Sequence, residues 1–214
     1  MFIHHLSDLV HLPNLQSYDL SSLKAICVTG SIIPSTLRRK LKQLAPFVTN
    51  QYGATEMLGI HLSHPLDPAY VLDSAAVYPT GGIEVKIVDQ KGETVPIDTR
   101  GEICIRGYAV FKYYWMDEKL TKDAKDENGW WHTRDLGIMD DKGYFRVLGR
   151  NTDLIVIKEA INVAPLELEA VLYEHEAVAD ALVVGVPDER SFEEVCACIK
   201  LNKEKPVTVN GDDI

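Results

Sequence analysis

The stretch QYGATE, residues 51–56, holds several groups that can handle a phosphorylated ligand. A glycine at position 53 lets backbone close on a ligand, and the Thr55 hydroxyl can donate to a phosphate. Glu56 can hold a magnesium ion, and the Tyr52 ring can stack on a base. A structural turn between two pieces of an α/β domain accounts for the same residues, so the stretch alone leaves both readings open.

The flanking periodicities give the elements that would position it. LKAICVTG reads as a short buried strand ending at Gly30. In PSTLRRKLKQL, Leu37, Leu41 and Leu44 share one helical face and Pro34 suits a first turn. FVTNQYG gives a second strand, and strand–helix–strand is the pattern of an α/β sheet edge. From about residue 80 the period becomes two. GIEVKIVD and GEICIRG predict a hairpin around a turn-rich connection, and WWHTRDLGIMD with YFRVLG predicts another, giving a small β-barrel or sandwich. GRNTD, residues 149–153, is polar and turn-like and marks a domain boundary. Beyond it the expected order is a strand in LIVIK, a helix opening at Pro165, and strands in ALVVGV and VCACIKL. Leu168, Val171 and Leu172 make that helix's apolar face.

Composition narrows the function classes. With 46% hydrophobic residues the 214-residue chain can build a real core, in one large domain or two smaller ones. A formal charge of −10, without basic runs interleaved with aromatics, argues against nucleic acid or an anionic membrane as partner. No apolar stretch is long enough for a transmembrane helix. MFIHHLSDLV lacks the basic flank of a signal peptide. Cys27, Cys104, Cys196 and Cys198 show no zinc spacing; they read as buried reduced thiols, with Cys196 and Cys198 on one side of a strand and a reducing, intracellular compartment implied. The final VTVNGDDI suggests a chain cut in mid-domain.

In order, the chain carries VTGSIIPSTL, QYGATE, GEICIRG, GWWHTRDLG, GRNTDLIVIK and NVAPLELEAVL. This series resembles the AMP-forming acyl-CoA synthetase, coumarate–CoA ligase and firefly-luciferase superfamily, from YDLSSLKAI to VPDERSFEEVCACIKL, and most closely its medium-chain acyl-CoA synthetases. The resemblance implies ATP-dependent activation of a carboxylic, fatty acid to an acyl-adenylate, then transfer to coenzyme A, with Mg2+ as cofactor. It implies a mixed α/β and α+β fold. Residues 1–148 would be the end of the large adenylate-forming domain, 149–153 a hinge, and 154–214 the start of a small mobile domain.

Position by position, Gly30 and Ser31 fall where the family lines the adenine and acyl pocket. Tyr52 and Gly53 fall beside the adenine, Thr55 at the phosphates, and Glu56 at the magnesium. Asp135 matches the aspartate that holds the ribose hydroxyls, a role that a carboxylate accepting from a diol can fill. Arg150 matches an arginine that also reaches the ribose, and Thr152 sits at the hinge position. Lys158 and Asn162 fall in the loop facing the pantetheine arm of coenzyme A. Read without the family, Asp135 is a turn aspartate, Arg150 a solvated charge, and Glu56 an acid near a helix N-terminus.

The chain also departs from the family's pattern. The Ser/Thr/Gly-rich phosphate loop with its lysine has no counterpart in these residues, and the C-terminal catalytic lysine would lie beyond Ile214. The chain alone is therefore expected to adenylate poorly, and the large domain's sheet, without its earlier strands, to expose apolar surface. Val77, Tyr113, Arg134 and Phe192 stand where glycine is usual. KEAIN replaces a glycine-containing loop, and Glu159 and Ala160 adopt positive φ only at a cost of about 1–2 kcal/mol each. Arg134 adds a cation beside Asp135 and can either pair with it or reach a phosphate. Two functions stay open: an acid–CoA ligase, or a non-catalytic nucleotide-binding or interaction remnant of one.

Overall fold

The computed structural model describes residues 3–29, 33, 35–58, 61–64, 66–74, 76–157, 161–175, 177–188 and 192–201. The chain forms two compact units, one from Met1–Ile33 with Leu37–Val147 and one containing Leu148–Ile214.

The first unit holds two sheets. Strand β1 (Ala25–Thr29) runs parallel to β2 (Phe47–Tyr52), and the two-residue β3 (His61–Leu62) lies antiparallel on the other side of β2. Between β1 and β2 comes helix α2 (Ser35–Leu41), preceded in the chain by α1 (Ile3–Val10). Leu6, Ile26, Val28, Leu37, Leu41 and Val48 form their shared core, the layering that a strand–helix–strand pattern requires. Leu44 lies past the helix end, in a turn, and is only partly buried. Arg38 of α2 is buried, an outcome that its place among basic neighbours does not signal. Its guanidinium donates to the Val48 carbonyl at 3.0 Å and to the Asn50 side chain, tying α2 to β2.

After α3 (Ala69–Ser74) the chain enters a four-stranded sheet in the order β4 (Ile83–Val88), β5 (Gly101–Gly107), β6 (Trp131–Met139), β7 (Phe145–Arg150). Helix α4 (Glu118–Ala124) lies between β5 and β6, and the Asp117 side chain caps it by accepting from the Leu120 N–H at 2.8 Å. The two hairpins expected from the alternating pattern are present: β4 pairs with β5 from Ile83–Gly107 to Val88–Glu102, and β6 is hydrogen-bonded to β7; β5 also pairs with β6, which joins the two hairpins into one sheet. Ile83, Ile87, Ile103, Ile105, Trp131 and Phe145 fill the core, joined by Met57 from the end of QYGATEM. Val77, one of the residues standing where glycine is usual, is 1% exposed in that core and exchanges two 2.9 Å backbone bonds with Phe145. Its side chain is packing.

In the second unit, β8 (Ile155–Ile157) and β9 (Ile161–Val163) form a hairpin, α5 (Pro165–Leu172) follows with Pro165 at its first turn, and β10 (Val178–Asp188) pairs antiparallel with β11 (Phe192–Leu201). Strand β9 is absent from the sequence-based order, because three residues are too few to show a period. Two expectations need correction. Val171 is exposed, and Leu168 and Leu172 on the expected apolar face of α5 are only partly buried. Cys196 and Cys198 do share one side of β11, but both are exposed. They stand opposite Val184 and Leu182, which are exposed as well, while Ala181 and Val183 supply the buried face of β10. An alternating apolar strand does not reveal which of its faces is covered. Cys27 is partly buried and Cys104 fully so.

Candidate functional site

QYGATE is not a plain turn. Gln51 and Tyr52 end strand β2, and Thr55–Met57 form one 3-10 turn, which Met57 anchors in the core. That anchor leaves Thr55 exposed and Glu56 half-buried. The Tyr52 ring meets Phe145 edge-on, with centroids 5.7 Å apart, and its hydroxyl donates to Asp135 Oδ2 at 2.6 Å. Residues 83 positions apart in the chain are thus joined by a short charge-assisted bond.

Asp135 sits within strand β6, not in a turn, and the strand is deformed there. Glu102 pairs with Leu136 and Cys104 with His132, so Ile103 alone faces Thr133, Arg134 and Asp135. This bulge re-aims side chains at a sheet position where straight pairing would alternate them. Thr133 fixes it from inside: its hydroxyl donates to the Ile103 carbonyl at 2.8 Å and accepts the Asp135 N–H at 3.0 Å. Arg134 is exposed, with φ at +63°, and its N–H donates to Glu102 Oε1 at 3.0 Å. That φ explains why glycine is the usual residue here: the left-handed region is open to glycine and costs other residues. Val77 and Tyr113 are not among the described residues with positive φ. Phe192's side chain, Glu159 and Ala160 lie outside the described residues.

Glu56 accepts a 2.8 Å hydrogen bond from the Tyr114 hydroxyl, and its own carbonyl accepts the Phe111 N–H at 2.7 Å. Burial and then the Glu56 carboxylate push the Tyr114 phenol up from its ordinary value, while the Arg134 charge pulls the other way. The Asp135 carboxylate takes the Tyr52 hydroxyl. Sequence reasoning missed Tyr114, Thr133 and Glu102, whose contacts depend on the bulge and on pairing across strands.

Of the remaining predicted positions, Gly53 lies between β2 and the 3-10 turn, half-buried. Arg150 ends β7 and is exposed; it belongs to the second unit and leads into the 3-10 turn Asn151–Asp153. In that turn the exposed Thr152 donates to Asp153 at 2.9 Å. Asn162 is exposed on β9, opposite Val156. Gly30, Ser31 and Lys158 lie outside the described residues.

Comparison with known proteins gives the family. Residues 2–115 match the AMP-binding enzyme family and residues 167–212 the AMP-binding enzyme C-terminal domain. The chain is 36% identical over 208 residues to a mitochondrial medium-chain acyl-CoA ligase, ACSF2, of Danio rerio, covering 94% of this chain and 34% of that protein. It is 35% identical over 197 residues to a medium-chain fatty-acid–CoA ligase of Escherichia coli K12, covering 91% and 34%. Among solved structures, the anthranilate CoA ligase AuaEII in complex with anthranoyl-AMP superposes with a TM-score of 0.84 at 27% identity, over 97% of this chain and 40% of that one. The chain thus spans about a third of the length of the curated relatives it matches. With the first match alone covering more than half of its residues, the chain belongs to the AMP-binding enzyme family.

Proposed function

We propose that this chain is part of an ATP-dependent acid–CoA ligase that activates a medium-chain fatty acid as its acyl-adenylate and passes the acyl group to coenzyme A. The observation that carries this reading is the Asp135 carboxylate, half-buried on the β6 bulge and held by the Tyr52 hydroxyl. A carboxylate so fixed accepts from two neighbouring ribose hydroxyls without reorganising. By resemblance to the family, Tyr52 and Gly53 serve the adenine, and Gly30 and Ser31 the adenine and acyl pocket. The exposed Thr55 hydroxyl donates to a phosphate.

Glu56 suits a hard cation. Holding Tyr114 through one oxygen leaves carboxylate lone pairs for Mg2+, which takes one or two carboxylates together with substrate phosphates. When bound, Mg2+ neutralises phosphate charge as pyrophosphate departs. By resemblance to the family, Arg150 serves the ribose, residues 149–153 act as the hinge about Thr152, and Lys158 and Asn162 serve the coenzyme A step. Medium-chain acids are the substrates named for both curated relatives.

A second reading, a chain that binds nucleotide without turnover, is favoured by Arg134 in the left-handed region, where it places a side chain beside the ribose position. Calorimetric titration of the purified chain with magnesium-ATP and with a non-hydrolysable acyl-adenylate analogue tests what the two share. Binding should be abolished by Asp135→Ala and weakened about fivefold by Tyr52→Phe, the loss of one net hydrogen bond of about 1 kcal/mol. A folded chain that binds neither ligand, or an Asp135→Ala variant of unchanged affinity, refutes the site. Acyl-CoA formation by a longer chain carrying these residues then decides between ligase and binder.

A further inference from the structure

On the strands that carry the bulge, Glu102, Cys104 and His132 bring three metal-ligating atoms within 4.8 Å of one another. His132 Nδ1 lies 3.5 Å from Cys104 Sγ and 2.9 Å from Glu102 Oε2. One imidazole nitrogen has either one proton or one lone pair, so it cannot serve both neighbours. If it carries the proton, Glu102 is satisfied and the thiol hydrogen has no acceptor there. If it carries the lone pair, that lone pair faces a carboxylate. Three ligating atoms of different hardness thus converge on one point, and no placement of the imidazole proton satisfies both of its neighbours.

We propose that Glu102, Cys104 and His132 form a binding site for a thiophilic divalent cation of the zinc class. The sulfur–nitrogen edge suits tetrahedral ligation: sulfur at about 2.3 Å and nitrogen at about 2.0 Å from zinc stand about 3.5 Å apart. That is the observed Sγ–Nδ1 separation. An oxygen and a nitrogen on the same ion stand about 3.3 Å apart, so Glu102 and His132 must open by about 0.4 Å, as they do once their hydrogen bond is replaced.

The supporting groups are in place. Glu102 Oε1 is held by the Arg134 N–H, which orients the carboxylate as an outer partner orients a metal ligand. Cys104 and His132 are direct cross-strand partners, so backbone pairing sets their approach. The Cys104 residue is fully buried, while the His132 and Glu102 side chains are 31% and 24% exposed. Entry and a fourth, water-held position therefore lie on the imidazole and carboxylate side.

Binding moves protons in a defined way. The thiol loses its proton to solvent as the sulfur–metal bond forms, and the imidazole proton resides on Nε2 so that Nδ1 ligates. Burial foremost, then the Glu102 charge, pushes the Cys104 thiol up to about 12, with Lys86 acting against them. That burial opposes deprotonation, so the selectivity rests on the donors: a thiolate with an imidazole suits zinc-class cations, whereas magnesium and calcium take oxygen ligands. A bound ion clips β5 to β6 at the bulge bearing Asp135.

Titration of the chain with Co2+ as a spectroscopic stand-in, and then with Zn2+ in competition, tests the proposal. The expected result is one ion per chain with a thiolate-to-cobalt charge-transfer band, absent in Cys104→Ser and retained in a Cys196→Ser/Cys198→Ser double variant. His132→Gln and Glu102→Gln should each weaken Zn2+ by about tenfold or more. No band from wild-type chain folded by circular dichroism overturns the proposal. So does a band that survives Cys104→Ser, or one lost with Cys196 and Cys198. Should Cys104→Ser fail to fold, wild-type affinity in both His132→Gln and Glu102→Gln overturns it equally.

Discussion

Arg134 offers a test whose sign, not only its size, is fixed by the backbone. Its φ of +63° lies in the left-handed region, where an L-residue carries roughly 1–2 kcal/mol of strain that glycine does not. Glycine in turn loses more conformational freedom on folding, by about 0.5–1 kcal/mol relative to alanine. Arg134→Gly and Arg134→Ala both remove the exposed guanidinium and both keep the N–H that donates to Glu102. Their difference therefore isolates the backbone, and glycine should win by about 1 kcal/mol. At an ordinary negative φ the order reverses, with alanine ahead by about 0.5–1 kcal/mol. With a urea slope of about 2 kcal/mol per molar, the expected gap between midpoints is about 0.5 M. Tryptophan fluorescence is the proper probe, because Trp115, Trp130 and Trp131 all lie in the first unit and report on it alone. An Arg134→Ala midpoint equal to or above that of Arg134→Gly refutes the strained bulge, and with it the account of how Asp135 is aimed.

Two further outcomes follow from the same unit. The Asp67 carboxylate, accepting from the Tyr144 hydroxyl at 2.9 Å, is the main cause that pushes this phenol up to about 12. Below pH about 10 both folded and unfolded chains keep the proton; between about 10 and 12 the unfolded chain loses it first, so stability falls as pH rises through that window. Tyr144→Phe should flatten part of the decline in fluorescence-detected stability between pH 9 and 12, and an unchanged slope rejects the linkage. Gly101→Ala should destabilise the first unit by about 2 kcal/mol or more, because the added methyl meets the Val88 carbonyl and sits 2.9 Å from Ile87 Cγ2. A urea midpoint within error of wild type shows that β5 can move away from β4.

The strands of the meander and the α/β edge were legible because each buries one face or both in a way that leaves a period in the sequence. Motif order carried the family, and QYGATE and HTRDL come together at Tyr52 and Asp135. What stayed hidden depends on pairing between distant segments. The bulge arises from a mismatch of register between β5 and β6, so neither strand alone discloses it. Tyr114 reaches Glu56 across 58 positions, beyond any window of sequence, and Arg38 reaches Asn50 from α2 to β2, a pairing between elements that neither element's own period shows. The exposure of Cys196 and Cys198 was misjudged for a related reason: alternation shows that a strand has two faces, not which one is covered.

Tyr52 is at once a core ring against Phe145 and the hydroxyl that holds Asp135. On the proposed nucleotide site, one residue thereby makes folding and ligand recognition a single inherited trait. Substitutions that loosen the packing around Phe145 displace the carboxylate before the sheet melts, so loss of binding should precede loss of structure in any series of core variants. Such pleiotropy also shapes divergence. A lineage that abandons the nucleotide still has reason to keep the ring, and the tyrosine outlasts the function that its hydroxyl serves.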